Sequence, residues 1–427
     1  MTSSAVLIPP EILDSMVAVL DLVRTGRART RPDLVQLGGL GRATVAQRVT
    51  QLLAIGLLEE SDTVASTGGR PARELRFRSE LGLIAAVELG ATTAFIGVAD
   101  LSGTMLASRR EPISSTDGPD AVLSQVEAVL DKFVAEHTTN GRHVWAVGVG
   151  LTSPVEYTTG RPMSPPLPGW EGYPVRDRFA KRYCAPVWVD NEVNLMALAE
   201  LRHASDDQLH RNLLFLKIGT GIGAGLIFDG TLYRGSQGSA GDVGHMEVTS
   251  DPSAVCRCSK TGCVVAVAGG EALGRLATQY ARDGDSDFLA RRLSGQNGGE
   301  LEAADLAAAA TYGDTVAVAA LIQAGKNIGR MLSTVINLFN PALVVVGGGV
   351  AGSGDLLLAA IRNTVYERSL PLATRDLRIE LSAVGQEAGL FGAAALAIDE
   401  LFSRRRLPLW LESGSPVARP NLVQDAA

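Results

Sequence analysis

Apolar positions along the first eighty residues recur with a helical period. In "EILDSMVAVLDLVRTG", Ile12, Met16, Val19, Leu20 and Val23 fall on one face, and Gly26 ends the run. Thr30 is placed to cap a short helix, "RPDLVQLG", with Pro32 and Asp33 in its first turn. After a "GLG" turn, "RATVAQRVTQLLAIG" predicts a third helix that buries Val45, Val49, Leu52 and Leu53. "LLEESDTVASTGGRPARELRFR" then reads as two strands around a polar loop.

The period changes from residue 82. "GLIAAVELGATTAFIGVADLSGTML" reads as strand, glycine turn, strand, turn, strand, and "NLLFLKIGTGIGAGLIFDGTLYRG" at 212–235 repeats that plan. Two copies of a glycine-turned hairpin predict two similar α/β lobes facing a cleft. Glycine tips let backbone N–H groups approach phosphates closely. Between the copies, the β-branched run of "VWVDNEVNLMALAE" ends in Asp190, Asn191, Glu192 and Asn194. Polar groups crowded at a strand end usually face a ligand.

Two helices joined by a glycine-containing turn, followed by a hairpin, match a winged helix-turn-helix. The net charge of −7 argues against non-specific nucleic-acid binding by the whole chain. Its distribution argues otherwise for this part. Arg24, Arg27, Arg29, Arg31, Arg42 and Arg48 lie in the helices, and Arg70, Arg73, Arg76 and Arg78 in and after the wing. Arginine offers bidentate contacts to guanine edges and phosphates. Arg42, Thr44, Gln47 and Arg48 are assigned to the DNA-facing side of the third helix. Arg70, at the "GGRP" tip, is assigned to a narrow, A·T-rich minor groove.

A length of 427 residues predicts two or three domains, and 46% hydrophobic with 20% charged residues fits a globular protein. No run of about 18 uncharged apolar residues occurs, and the N-terminus lacks a basic, apolar secretory signal. A cytoplasmic protein with no membrane partner is therefore expected. Of the four cysteines, Cys184 stands alone, whereas Cys256, Cys258 and Cys263 cluster. With His245 upstream, this C-x-C-x4-C spacing predicts a closed, tetrahedral, structural zinc site.

Several ordered segments carry a resemblance: "GRPMSPPLPGWEGYPV", "DNEVNLMALAE", "KIGTGIGAGLI", "GSAGDVGHMEV", "CRCSKTGC", "INLFNPALVVVGGG" and "GQEAGLFGAAALA". With these the body resembles the ROK family (repressors, open reading frames and sugar kinases). With the winged helix in front, the chain resembles its xylose- and N-acetylglucosamine-repressor branch. The resemblance implies a winged helix-turn-helix domain at 1–80 and an effector-binding and oligomerisation domain at 81–402. The latter would be an α/β, actin/hexokinase-like (ribonuclease H-like), two-lobed domain. Residues 403–427 lie outside the pattern and are expected to form a flexible tail. In the family the zinc-binding histidine also contacts the sugar, so His245 is expected to do both.

Kinases of the family read Asp-x-Gly-Gly-Thr in the first hairpin, where this chain has Glu88-Leu89-Gly90-Ala91-Thr92. Their catalytic aspartate follows an asparagine, and Glu192 stands there after Asn191. The longer side chain shifts the carboxylate by about 1.5 Å, and a displacement of about 1 Å costs on the order of 100-fold in rate. Three sugar-facing positions also depart: Val265 and Pro166 replace a glutamate and an asparagine, and Asp242 replaces a glutamate. Asn191, Glu192, Asp242 and His245 remain to hold a sugar or sugar phosphate.

The sequence thus reads as a sugar-responsive transcription regulator, a repressor acting as a homodimer or homotetramer on an inverted-repeat operator. Effector closing the lobes would change the spacing of two winged helices. An active ATP-dependent sugar kinase with a fused DNA-binding domain is the alternative. A third reading is a scaffold whose winged helix docks a protein.

Overall fold

The computed structural model describes residues 9–61, 73–138, 141–163, 168–204, 207–295, 299–351, 355–417 and 419–423. It divides into two compact units, Met1–Leu151 with Val155–Asp190 and Ala393–Ala427, and Thr152–Pro154 with Asn191–Gly392.

The first unit begins with helices α1 (Pro10–Arg24), α2 (Arg31–Gly38) and α3 (Arg42–Ile55). Thr30 and Asp33 form a reciprocal capping box, so two otherwise unpaired backbone donors of α2 are satisfied. Left-handed Gly39 and Gly56 end α2 and α3. Strands β1 (Leu58–Ser61) and β2 (Glu74–Phe77) pair antiparallel, with Leu58 opposite Phe77. The Leu75 amide donates to the Arg29 carbonyl at 2.7 Å, tying this ribbon to the start of α2.

The same unit holds a sheet of β3 (Gly82–Leu89), β4 (Thr93–Ala99), β5 (Met105–Pro112), β6 (His143–Leu151) and β9 (Val187–Asn191). Its order is β5-β4-β3-β6-β9, and β7 (Val155–Glu156) and β8 (Arg161–Pro162) form a small separate ribbon. Helices α4 (Pro119–His137) and α5 (Val175–Tyr183) bury Val122, Val126, Leu130 and Phe179 in the core that backs β3, β4 and β6.

The second unit repeats the plan. It holds β10 (Leu213–Ile218), β11 (Ile222–Phe228), β12 (Thr231–Tyr233), β13 (Leu343–Gly347) and β14 (Arg378–Leu381), ordered β12-β11-β10-β13-β14. In both sheets the first three strands form an antiparallel meander, and the first strand pairs parallel with the fourth. The duplicated hairpins seen in sequence are thus the starts of two sheets of one topology. Helix α6 (Glu192–His203) and the long helix Thr315–Phe339 belong to this unit. Among the described residues, no single helix is long and apolar enough to cross a membrane.

Residues 403–417 and 419–423 do not form the loose tail expected over 403–427; 418 and 424–427 lie outside the described residues. Helix Ala388–Leu401 is followed by the turn Leu407–Trp410, and Leu407, Trp410, Leu411, Leu422 and Val423 are buried. The Trp410 ring meets Trp145 and Phe402 edge-on, each at 5.5 Å, and Phe402 meets Phe77 at 5.7 Å. Apolar side chains scattered through a polar stretch have here found partners brought close by the fold. Arg406, buried over the Trp188 ring at 5.4 Å, also bonds Glu400.

Candidate functional site

Two groups of polar residues in the second unit converge on β11. The first comes from the β9–α6 junction. Asn191 caps α6, its Oδ1 accepting from the Val193 amide at 2.9 Å, and its Nδ2 donates to the Ser153 carbonyl at 2.8 Å. These amide bonds are therefore spent on the fold. Glu192, at the first helical position, is 3% exposed, and its Oε1 accepts from the Lys217 ammonium. Its other oxygen, Oε2, is buried with no hydrogen-bond partner among the described residues. Farther along α6, the Ser382 hydroxyl donates to Glu200, whose carboxyl is held above the usual range by burial.

Lys217 was missed by the sequence reading. Its signal was a lone cation within the apolar run "LLFLKIG". A charge in a buried strand needs a counter-charge, because the cost of taking it out of water must be offset.

The second group is Asp242 and His245, in the turn after β12. Gly241, at φ 93°, lies so close to β11 that a Cβ there would sit 1.9 Å from the Ala224 carbonyl oxygen. The Ala224 amide donates to the Gly241 carbonyl at 2.8 Å. Lys217 is paired with Gly223, the neighbour of Ala224. On the other side, Gly225 leaves room for α6: a Cβ would be 2.6 Å from the Val193 carbonyl oxygen. Both groups therefore flank the same few residues of β11. His245 Nε2 stands 4.0 Å from Asp242 Oδ1.

The Nδ1 nitrogen of His245 faces the cysteines, 3.4 Å from Cys256 Sγ, and Cys258 Sγ is 3.7 Å from Cys263 Sγ. The four donor atoms lie within 4.8 Å of one another, a cluster able to hold a metal ion. Three sulfurs and an imidazole nitrogen suit a tetrahedral cation. Burial pushes the Cys263 thiol up to about 12, and a bound cation would reverse that preference by stabilising the thiolate. Cys184 lies outside the cluster.

Other positions expected from the kinase comparison fall elsewhere. Val265 packs partly buried against the second unit's core. Glu88 is buried in β3. The second glycine hairpin is held by backbone contact, with the Gly270 amide donating to the Gly219 carbonyl at 2.7 Å. That contact gives the hairpin a structural reason to persist. Pro166 and Arg70 lie outside the described residues.

On α3, Arg42 and Gln47 are exposed and Thr44 is half-buried. Arg48, read as a DNA-facing residue, is instead 4% exposed. Its Nε donates to Ser15 Oγ of α1 at 2.9 Å, and Nη1 bonds Gln51. The reason is periodic: position 48 is three after Val45 and four before Leu52, hence on the buried stripe. Arg48→Met is expected to destabilise the N-terminal module by about 1–3 kcal/mol, read by urea unfolding. Unchanged stability with weakened DNA binding would return Arg48 to the DNA face.

The arginines after the ribbon loop also have partners. Arg73 reaches Glu60 at 3.5 Å, Arg76 reaches Glu59 at 2.6 Å, and Arg78 reaches Glu80 at 3.2 Å. Such surface pairs contribute only about 0–1 kcal/mol each, so a phosphate can compete for these side chains.

The profile of the ROK family matches residues 84–400. The chain is 26% identical over 385 residues to a xylose repressor of Caldicellulosiruptor bescii, covering 90% of this chain and 95% of that protein. It is 31% identical over 325 residues to a glucokinase of Streptomyces coelicolor, covering 74% and 98%. A solved ROK family transcriptional regulator, described as a homologue of the E. coli MLC protein, superposes with a TM-score of 0.77. That match has 25% identity and covers 97% of this chain and all of the other.

Proposed function

This chain belongs to the ROK family, its body has that family's actin/hexokinase-like fold, and from this premise we propose that it is a sugar-responsive DNA-binding regulator. It represses carbohydrate-metabolism genes in the cytoplasm and acts as a homodimer or homotetramer. The observation that carries the reading is the three-helix module with its β-ribbon, joined ahead of the matched family region. The likeness to the solved regulator extends over 97% of the chain, module included.

We read the module as a winged helix-turn-helix with α3 in the major groove. Arg42, Thr44 and Gln47 would contact the operator, and Arg70 would enter an A·T-rich minor groove. Two modules in a symmetric oligomer call for an inverted repeat. His245, Cys256, Cys258 and Cys263 would hold zinc, which when bound cross-links the segment around them. His245 Nδ1 would face that ion, leaving Nε2 to donate to a sugar hydroxyl near Asp242.

The engagement of Glu192 supports binding over phosphoryl transfer. A general base needs hydrogen-bond reach to the substrate hydroxyl, directly or through one water, and here an ammonium already bonds one carboxylate oxygen of a side chain that is 3% exposed. The kinase reading rests on the glucokinase likeness and the intact second hairpin. Sugar-dependent ADP release from Mg-ATP would establish it.

Selection from a random duplex library, followed by anisotropy titration across salt concentrations, tests the main reading. An inverted repeat should emerge. Arg42→Ala should weaken its binding by about 1–3 kcal/mol if the guanidinium reads a base. Salt-insensitive binding, or no enriched sequence, would sink the proposal.

A further inference from the structure

The helix Ala388–Leu401 crosses the division of the chain: Gly392 closes the second unit's segment and Ala393 reopens the first. Within the second unit it is fastened to α6. A Cβ at Gly392 would sit 1.8 Å from the Leu195 carbonyl oxygen. The segment leading into the helix is tied to α6 as well, because Glu200 accepts from the Ser382 hydroxyl and the Val384 amide. Within the first unit the helix is seated on β6, where a Cβ at Gly148 would sit 1.9 Å from the Ala393 carbonyl oxygen. Backbones this close leave the helix no room to slip without moving what it touches.

The far end of the helix grips the DNA-binding module. Asp399 Oδ1 stands 3.7 Å from Arg24 Nη2, and just past the helix Arg404 Nε stands 2.9 Å from Asp14 Oδ1. Phe402 lies between them in sequence, edge-on to Phe77. An exposed pair such as Arg404–Asp14 adds little to stability, but the two pairs together are placed to set a direction. Asp14 and Arg24 are ten residues apart on α1, hence about 15 Å along its axis. A helix held at one point can pivot, whereas one held at two separated points takes its direction from the holder. α1 in turn bonds α3 through Ser15 and Arg48.

We propose that the helix Ala388–Leu401 carries the effector state from α6 to the DNA-binding module, with Asp399 and Arg404 as its grip on α1. Coupling between distant sites travels through packed, contiguous elements that share two arrangements. The contacts above form such a series, from α6 through this helix to α1 and α3. A ligand that favours a second arrangement of α6 would redirect α3 without touching the module. The inference rests on the sugar-responsive reading above and adds the path of the response.

The test uses the full-length, metal-loaded protein and the inverted repeat selected as described above. Operator affinity is measured with and without D-glucose, D-xylose, N-acetylglucosamine and the 6-, 5- and 6-phosphates of the three. For a sugar that acts, the parent should show a ratio of at least about fivefold, a usual size for coupling between sites. Asp399→Asn with Arg404→Glu should bring that ratio to within about twofold, with calorimetric sugar affinity unchanged within about twofold, as expected for distant sites. Arg404→Glu alone sets like charges side by side and should lower the ratio. Adding Asp14→Arg re-forms the pair in reverse and should restore it. The ratio cancels any direct effect of these charges on DNA. Thermal unfolding of each variant shows that it is folded. Hydrogen exchange needs no operator: the sugar should change exchange across 393–401 and α1 in the parent, and across 393–401 alone in the double variant. This reading decides the case if a variant no longer binds the operator. A double variant with the parent's ratio, or a sugar response in α1 that survives the loss of both pairs, overturns the inference and leaves sugar sensing standing. If none of the six changes operator affinity in the parent, the sugar-responsive reading fails and this inference falls with it.

Discussion

Trp410→Ala is expected to cost the first unit about 3–5 kcal/mol, the range for truncating a fully buried aromatic side chain. Trp410 is 0% exposed, and its Nε1 donates to the Leu401 carbonyl at 3.0 Å. Its ring lies between Trp145 of β6 and Phe402, and Phe402 touches Phe77 at the end of β2. Removing the indole would leave a cavity and an unpaired buried carbonyl, and it would break a row of aromatic contacts joining the ribbon to the central sheet. Equilibrium urea unfolding would give the magnitude, and hydrogen exchange would locate it. Faster exchange is expected in β2 and β6, with β10 of the second unit unchanged. Trp410→Phe should recover part of the loss by refilling most of the volume. A Trp410→Ala protein within about 0.5 kcal/mol of the parent would mean that residues 403–423 are an appendage after all.

What the sequence disclosed follows from the range over which each signal acts. The capping of α2 by Thr30, the apolar stripe of α1 and the duplicated hairpins are local patterns, and the structure contains each of them. The cysteine spacing is also local, and its three sulfurs converge with His245. Partners distant in sequence were not legible. Trp410 looked like part of a polar tail because Trp145 and Phe77 lie far away along the chain. Glu192 looked like a free polar hand because Lys217 sits on another strand. Arg48 is a different case, since the helical period alone placed it on the buried stripe and residue type was allowed to outweigh position. The ribbon arginines show a third limit. Their spacing implied free charge, but the glutamates of β1 stand directly across the ribbon, with Glu59 opposite Arg76.

Cys263→Ser is expected to remove the bound metal and loosen the second unit around it. Cys263 begins the helix Val264–Ala268, and its sulfur also donates to the His245 carbonyl at 3.5 Å. Between Met246 and Cys263 no helix or strand is described; the segment is built from turns, with the isolated bridges Glu247–Cys263 and Val255–Thr261 and single backbone bonds such as the Cys256 amide to the Lys260 carbonyl at 2.8 Å. A segment of turns without a helix or sheet of its own gains order from cross-linking. Structural zinc sites can supply on the order of 10 kcal/mol or more of apparent binding energy to folding. Metal analysis should find about one zinc per chain in the parent protein and little in the variant, as three donors no longer close a tetrahedron. Hydrogen exchange should rise across 241–268, while α1 and β3 of the first unit stay protected. Cys184→Ser should keep its metal, which separates the cluster from a general effect of removing thiols. A parent protein that purifies without metal and is indifferent to zinc and chelator would sink the prediction. The short sulfur separations would then mark a thiol cluster packed for its own sake. Because Gly241–His245 lies along β11 beside the Lys217 position, loss of metal should also weaken sugar binding, linking the stability of the cluster to effector response.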